Sequence, residues 1–253
     1  MANFLGWLPK DKPGQFLYVR PAMIGNGNQI GVQLPRVATL FIVMVPWPDF
    51  SSESAPGAPP KLSGLRLLAS EGDTTRAWPG GFGYAKVGAN YGTTFTAHGK
   101  ALQRGFDQIL WLFGSEGQIT EAGASNFFVV VKNASTGQKE LLTAPLSDHL
   151  ILDGVTRRSI LDLVQTRMAK ELLVVEAKFT IHDLEKAWTE GRILEAFVSG
   201  TAVSILTLSA LKNPILIVFC SSSSRRSRLS TTEVGTWPCQ TATMQQRGAT
   251  ARD

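Results

Sequence analysis

Lys86 lies in a segment crowded with glycine: Gly80, Gly81, Gly83, Gly88 and Gly92 all fall within six residues of it. Glycines at this density permit positive backbone angles and let another group come close to the chain. An amine held there becomes a nucleophile able to condense with a carbonyl once desolvation or neighbouring cations lower its pKa. The plain alternative is a solvated surface lysine, the commoner fate of this residue type. Three further candidates follow downstream. Glu121, in Ile119-Thr120-Glu121-Ala122-Gly123, is a carboxylate suited to face a pyridine nitrogen and keep it protonated; otherwise it is a turn glutamate in solvent. Leu152-Asp153-Gly154-Val155-Thr156 opens a predicted helix, and the free N–H groups and dipole of such a start suit a phosphate. The alternative there is an ordinary entry capped by Asp153 or Thr156. Ser199-Gly200-Thr201-Ala202 closes a predicted strand with small residues that can offer N–H and hydroxyl donors to an anion. Singly, each signal is weak. Their order along the chain is what gives them weight.

The elements that must position these residues alternate. Hydrophobic patterning and turn residues predict strands at 15–20, 29–33, 39–45 and 65–69, with a Pro/Ser/Gly-rich loop at 46–60. Glu121 is expected between two strands, 108–113 and 126–132, the second followed by a hairpin turn at 133–138. Strands are also expected at 172–180 and 193–198. Helical periodicity appears after Tyr91, with Phe95, Ala101 and Leu102 before Gly105. It returns at 155–170, where Ile160, Leu161, Val164 and Met168 form a stripe, and at 182–190, which Gly191 ends. No internal repeat is present.

At 253 residues the chain is long enough to bury a substantial core. With 43% apolar and 18% charged residues it reads as globular rather than disordered. The net charge of +5 is unevenly placed: from Lys212 onward six basic residues face two acids, leaving +1 for the preceding 211 residues. The excess therefore belongs to a Ser/Arg-rich tail and argues against nucleic acid or membrane as a partner of the body. Both cysteines, Cys220 and Cys239, lie in the same tail, so the body contains neither a disulfide nor a cysteine metal site. The opening residues lack the charged-then-apolar order of a signal peptide. Apolar runs such as 215–220 are far shorter than the roughly 20 residues a membrane-crossing helix needs.

Five segments, in order, resemble the branched-chain amino-acid aminotransferases, fold-type-IV enzymes that depend on pyridoxal phosphate (PLP). The run Arg76-Ala77-Trp78-Pro79-Gly80-Gly81-Phe82-Gly83-Tyr84-Ala85-Lys86-Val87-Gly88-Ala89-Asn90-Tyr91-Gly92 resembles the family's segment bearing the cofactor lysine. Leu110-Trp111-Leu112-Phe113-Gly114, then Ile119 to Gly123 with Asn126-Phe127-Phe128, resembles the segment carrying the pyridine-nitrogen glutamate. Leu152-Asp153-Gly154-Val155-Thr156-Arg157-Arg158-Ser159-Ile160-Leu161 is similar to its phosphate-binding loop and helix. Ser199-Gly200-Thr201-Ala202 is similar to its second phosphate and substrate-carboxylate loop, and Leu17-Tyr18-Val19-Arg20-Pro21 to a strand of the same family.

The resemblance implies an α/β fold, the large domain of fold type IV, with a mixed, curved sheet flanked by helices. It implies that Lys86 binds PLP covalently and later moves a proton between the substrate Cα and the cofactor. It assigns the Tyr91 hydroxyl to the cofactor's phenolic oxygen and Glu121 to its pyridinium. The amides of Val155 and Thr156, with the Thr156 hydroxyl, are expected on the phosphate, and Thr201 on its other side. Ala202 is expected to lend an amide to the substrate carboxylate. No metal is expected. The implied reaction transfers the amino group of Leu, Ile or Val to 2-oxoglutarate, giving branched-chain 2-oxo acids and glutamate, and the implied assembly is a homodimer. A place in a specialised biosynthetic pathway is a further expectation.

The departures from the family pattern are equally specific. Family members carry a domain on the order of 100 residues ahead of the Leu17 strand, which supplies a phosphate-clamping arginine and aromatic pocket residues; 1–12 holds no counterpart. The expected division is 1–15 as a remnant of the interdomain connection, 16–210 as an incomplete PLP-binding domain, and 211–253 as a disordered tail unrelated to the family. Ala89 stands where the family often has Gly, and Gly123-Ala124-Ser125-Asn126 replaces a Gly-Thr-Met-Asn type run. Two other readings stay open. One is a catalytically impaired truncated paralogue or splice form with a structural or dimerising role. The other is different fold-type-IV chemistry such as D-amino-acid transamination, which the spacing from Lys86 to Tyr91 disfavours. The cytoplasm is the default location, with the mitochondrion left open.

Overall fold

The computed structural model describes residues 16–28, 30–47, 65–200, 204–208 and 217–218. The chain divides into two compact units, Met1–Lys61 and Leu62–Asp253.

In the first unit, β1 (Phe16–Gly25) pairs antiparallel with β2 (Ala38–Trp47), from Phe16↔Trp47 to Gly25↔Ala38 without a register shift. Pro21 sits inside β1 opposite Ile42, as a residue without an N–H can on an edge strand. The strand expected at 29–33 does not form: its described residues, 30–33, belong to the loop closed by Asn26 N–H donating to Val37 O. Gly31 takes φ +112° there, and Ile30 and Val32 lie fully in solvent. β1 and β2 are held by pairing with each other, whereas 30–33 pairs with no strand among the described residues, and alternation alone does not supply a partner.

The second unit is an α/β fold built on a mixed sheet. β3 (Leu67–Ala69) runs parallel to β4 (Gln108–Phe113), which pairs antiparallel with β5 (Gln118–Ala122). β6 (Ser125–Lys132) follows, and β9 (Ile193–Gly200) runs antiparallel along one edge of it, with β10 (Ser204–Leu208) beyond. β7 (Lys139–Thr143) and its parallel neighbour β8 (Leu173–Glu176) branch from β6. Ile217–Val218 form β11, which adds to β3.

β6 is the branch point. It pairs with β5 only through Asn126 and Ser125, then with β7 from Phe128 onward. Phe127 falls between the two partners, and its carbonyl accepts the buried Thr143 hydroxyl at 2.8 Å.

Strand alternation sends successive side chains to opposite faces. Phe127 and Val129 join Leu110, Ile119, Val198, Ile181 and Leu184 on the side covered by α4 (Ile181–Thr189). Phe128 packs on the other side with Leu161 and Val164 of α3 (Val155–Arg167), and its ring stacks on that of Phe197. α2 (Thr94–Gln103) brings Ala101 against Leu68, Ile109 and Trp111. A capping box starts α4: Thr180 Oγ1 accepts the Asp183 N–H, and the Asp183 carboxylate accepts the Thr180 N–H. Among the described residues no helix is long and apolar enough to cross a membrane, and no His/Cys/Asp/Glu group could hold a metal ion.

Candidate active site

Glu121 lies on strand β5, not in the turn-like connection that its sequence suggests. Its side chain is only 2% exposed, and both carboxylate oxygens are held. Oε2 is 2.9 Å from Nη2 of Arg76. Oε1 accepts the Leu152 N–H at 2.7 Å and a longer bond from Asn126 Nδ2 at 3.4 Å. Burial pushes the Glu121 carboxyl above the ordinary carboxylate range, while Arg76, the Leu152 N–H, Lys86 and Arg157 all oppose the shift.

Two loops meet over this carboxylate. The first, from Arg76 to Lys86, is held down by Arg76, whose Nη1 donates to Leu150 O at 3.0 Å. Ala77 packs with Ala144, Leu150 and Ile151, so a small apolar cluster joins the first loop to the second. At Gly83 a Cβ would stand 2.5 Å from His149 O and 2.9 Å from Leu150 O; glycine is the residue that permits this contact. Buried Asn90 closes the first loop by donating Nδ2 to Phe82 O at 2.5 Å and to Ala85 O at 2.9 Å.

Lys86 emerges from this braced segment with its side chain exposed. Its Nζ lies 4.8 Å from the ring centroid of Tyr91, which belongs to the short helix α1 (Ala89–Gly92); an ammonium over an aromatic face is electrostatically favoured. Lys86 is also near enough to Glu121 to be among the charges acting on it.

The second loop ends at the start of α3. Gly154 is the N-cap residue, in an extended conformation, and no side chain caps the helix. The first N–H groups of a helix have no intrahelical acceptor, so the amides of Val155 and Thr156 stand at an uncapped terminus, an arrangement that suits an anion. Asp153 is engaged elsewhere, in an ion pair with Arg158 that lowers its carboxyl below the ordinary range. Buried Arg157 anchors the helix start, donating to Ala144 O at 2.9 Å and pairing with Glu176.

Of the residues singled out from the sequence, Lys86 and Tyr91 touch one another, and Lys86 acts electrostatically on Glu121. Val155 and Thr156 begin the helix that follows the turn tied to Glu121. Thr201 and Ala202 lie outside the described residues. The sequence does not point to Arg76, Asn90, Asn126 or Arg157 as parts of this arrangement. All four sit inside the matching motifs, but a buried charge pair between residues 76 and 121 leaves no periodic signal.

The family model for amino-transferase class IV matches residues 4–211. The chain belongs to this family. The mitochondrial branched-chain-amino-acid aminotransferase of Schizosaccharomyces pombe is 39% identical over 206 residues, covering 81% of this chain and 46% of the relative. The cytosolic enzyme of that name from Saccharomyces cerevisiae is 42% identical over 199 residues, covering 78% and 50%. The chain thus spans about half the length of the curated relatives it matches. Among solved structures, the branched-chain aminotransferase of Thermoproteus uzoniensis with norvaline gives a TM-score of 0.59 at 25% identity, covering 76% of this chain and 56% of that one. The branched-chain amino acid aminotransferase of Thermobaculum terrenum in its PLP form gives 0.56 at 22% identity, covering 76% and 55%, a likeness of fold alone. Both agree with the mixed-sheet α/β fold of the class IV aminotransferases.

Proposed function

We propose that this chain serves PLP-dependent transamination of branched-chain amino acids, with Leu, Ile or Val as donor and 2-oxoglutarate as acceptor. The observation that carries the reading is the Glu121 carboxylate, sealed from solvent yet braced on both oxygens, beside a lysine and an uncapped helix start. This donor set fits PLP: an amine for its aldehyde, a carboxylate for its ring nitrogen and free amides for its phosphate. When bound, the cofactor supplies an electron sink for the bond broken at the substrate Cα.

The protein's own residues do the rest. Lys86 holds the cofactor covalently and then carries the proton to and from the substrate Cα. Glu121 keeps the ring nitrogen protonated, and Arg76 keeps Glu121 in place to do so. Val155 and Thr156 hold the phosphate from the α3 side and Thr201 from the other, while Tyr91 steadies the phenolic oxygen. Ala202 offers its amide to the substrate carboxylate. The names of both the relatives and the solved structures support the branched-chain class, and a homodimer belongs to the same proposal.

The test is incubation of the full chain with PLP, borohydride fixation and peptide mapping. The expected result is one modified lysine, Lys86, and no modification in Lys86→Ala, whose stability should change by no more than about 0.5 kcal/mol because the side chain is exposed. Transfer from L-leucine to 2-oxoglutarate is then expected in the unmodified chain. Labelling spread over surface lysines would overturn the cofactor assignment. Turnover of D-alanine in place of L-leucine would overturn the substrate class. Light scattering that gives a monomer mass would remove the homodimer.

A further inference from the structure

Glu121, Asn126 and Ser199 occupy one row across three strands. Glu121 on β5 is the register partner of Asn126 on β6, and Asn126 is the register partner of Ser199 on β9. Directly opposed residues share a face of a sheet. For this row it is the α3 face, since Phe128 and Phe197, two positions from Asn126 and Ser199, pack against α3. All three side chains are buried.

Asn126, in the middle, touches both parts of the site. Its Nδ2 donates to Leu152 O at 2.8 Å and, more weakly, to Glu121 Oε1 at 3.4 Å. Its Oδ1 lies so close to Gly154 that a Cβ there would collide with it. Leu152 returns its own N–H to Glu121 Oε1 at 2.7 Å. The turn leading into α3 is therefore laid on the Asn126 amide and stitched to the carboxylate beside it. Gly154 has no positive φ to explain it; its φ is −70°. Close approach to Asn126 is the reason that position excludes a side chain.

We propose that Asn126 is a positioning residue that fixes the phosphate-binding turn at Leu152–Gly154 against the Glu121 carboxylate, with Gly154 as the matching half of the contact. The proposal rests on the PLP reading above. Its consequence is a fixed separation between the group that meets the ring nitrogen and the amides that meet the phosphate. A ligand that spans both ends depends on that separation. A ligand that reaches only the ring nitrogen does not.

The experiment has a cofactor-free arm and a ligand arm, both on the full chain. In the first, amide hydrogen exchange is followed without ligand in wild type and Asn126→Ala. Faster exchange confined to 152–158 is expected, with protection elsewhere in β5 and β6 kept. Unchanged exchange at 152–158, or loss of protection throughout the sheet, overturns the proposal whatever the chain does with PLP. In the second arm, the affinities of PLP and of pyridoxal, which lacks the phosphate, are compared by borohydride-fixed occupancy of Lys86. Losing the buried Asn126 hydrogen bond, with Leu152 O left only the Gly154 N–H within its own turn, should weaken PLP by about tenfold in Asn126→Ala, and pyridoxal by under about threefold. Gly154→Ala should weaken PLP to a similar degree by pushing the turn away. The double variant should be no worse than the weaker single, because removing the Asn126 amide makes room for the new methyl. Equal losses for PLP and pyridoxal, or losses that multiply in the double variant, overturn the proposal. Wild-type chain that takes up neither ligand at Lys86 sinks the PLP reading itself, while the exchange arm still decides the tie.

Discussion

Replacing Arg76 by Met puts the electrostatics of the site to a direct test. The substitution removes the guanidinium 2.9 Å from Glu121 and the donor to Leu150 O. Both side chains of the pair are only 2% exposed, so neither solvent nor salt screens the loss. Breaking a buried ion pair from one side costs about 3–5 kcal/mol, because a charge is left without its partner. Adding Glu121→Gln removes that stranded charge. The double variant should then lie within about 1–3 kcal/mol of wild type, the residual being the unpaired Leu150 carbonyl. The pH dependence follows from the same charge. Burial already raises the Glu121 carboxyl, with Arg76 the strongest opposing influence, so Arg76→Met must raise it further. A carboxyl raised on folding means that the native state binds the extra proton. Its stability is therefore greatest below the unfolded value, roughly 4.3, and is lost as pH rises through the folded pKa. The deficit of Arg76→Met should accordingly be smallest in acid and grow toward neutral pH. Urea unfolding of the cofactor-free chain, read as a change in midpoint at constant slope, measures wild type, Arg76→Met, Glu121→Gln and the double variant. A single-variant cost below about 1 kcal/mol, an additive cycle, or a deficit indifferent to pH would refute the reasoning.

Gly83→Ala should destabilise the chain by about 1–3 kcal/mol through overpacking, since the new methyl meets His149 O and Leu150 O; thermal unfolding reads it directly. In Asn90→Ala the Ala85 carbonyl loses its donor while the Phe82 carbonyl keeps the Ala85 N–H, at about 1–3 kcal/mol for the unsatisfied group, and the rate of PLP fixation at Lys86 should fall with it. Thr180→Ala removes the cap of α4 and should cost about 1 kcal/mol. The two Thr180 hydrogen bonds hold the Asp183 carboxyl below its ordinary range. Thr180→Ala keeps the backbone bond and loses the hydroxyl one. That share is present above the unfolded pKa and lost as pH falls through the lowered one. The gap between Thr180→Ala and wild type should therefore narrow in acid urea titrations without closing, since the Asp183 N–H bond to the Thr180 hydroxyl does not titrate.

The elements with a strong period are legible in the sequence. The pattern at 108–113 predicts a strand and β4 forms there, because Ile109 and Trp111 alternate with Leu110 and Leu112 toward cores on opposite faces. The turn at 133–138 closes with Asn133 N–H donating to Gln138 O. The stripe of Leu161 and Val164 predicts α3, although the helix ends at Arg167 instead of running to 170. β5 is not legible. Gln118-Ile119-Thr120-Glu121-Ala122 carries one large apolar residue and a charge, and it holds as a buried strand because β4 pairs with it and Arg76 balances Glu121. The reverse holds at 30–33, where alternation is present and neither burial nor a partner strand is found among the described residues. The α/β class and the family are readable from ordered motifs that extend over most of the chain. The braces around Glu121 are not, since each joins residues distant in sequence.

The branching of the sheet explains why the braces escape a linear reading. β6 leaves β5 after Asn126 and takes β7 from Phe128, so the ladder opens at Phe127. An open ladder in a core would leave a buried carbonyl unpaired, which is costly; Thr143 supplies the donor with its hydroxyl. β7 then leads directly into the loop whose Leu150, Leu152 and Gly154 meet Arg76, Glu121 and Asn126. Had β5 and β7 been one continuous partner of β6, no segment would enter the sheet beside Glu121. In the sequence, Asn126 and Thr143 are ordinary polar residues at strand ends. Once three strands are in register, one carries the turn into α3 and the other lets the sheet part to admit it.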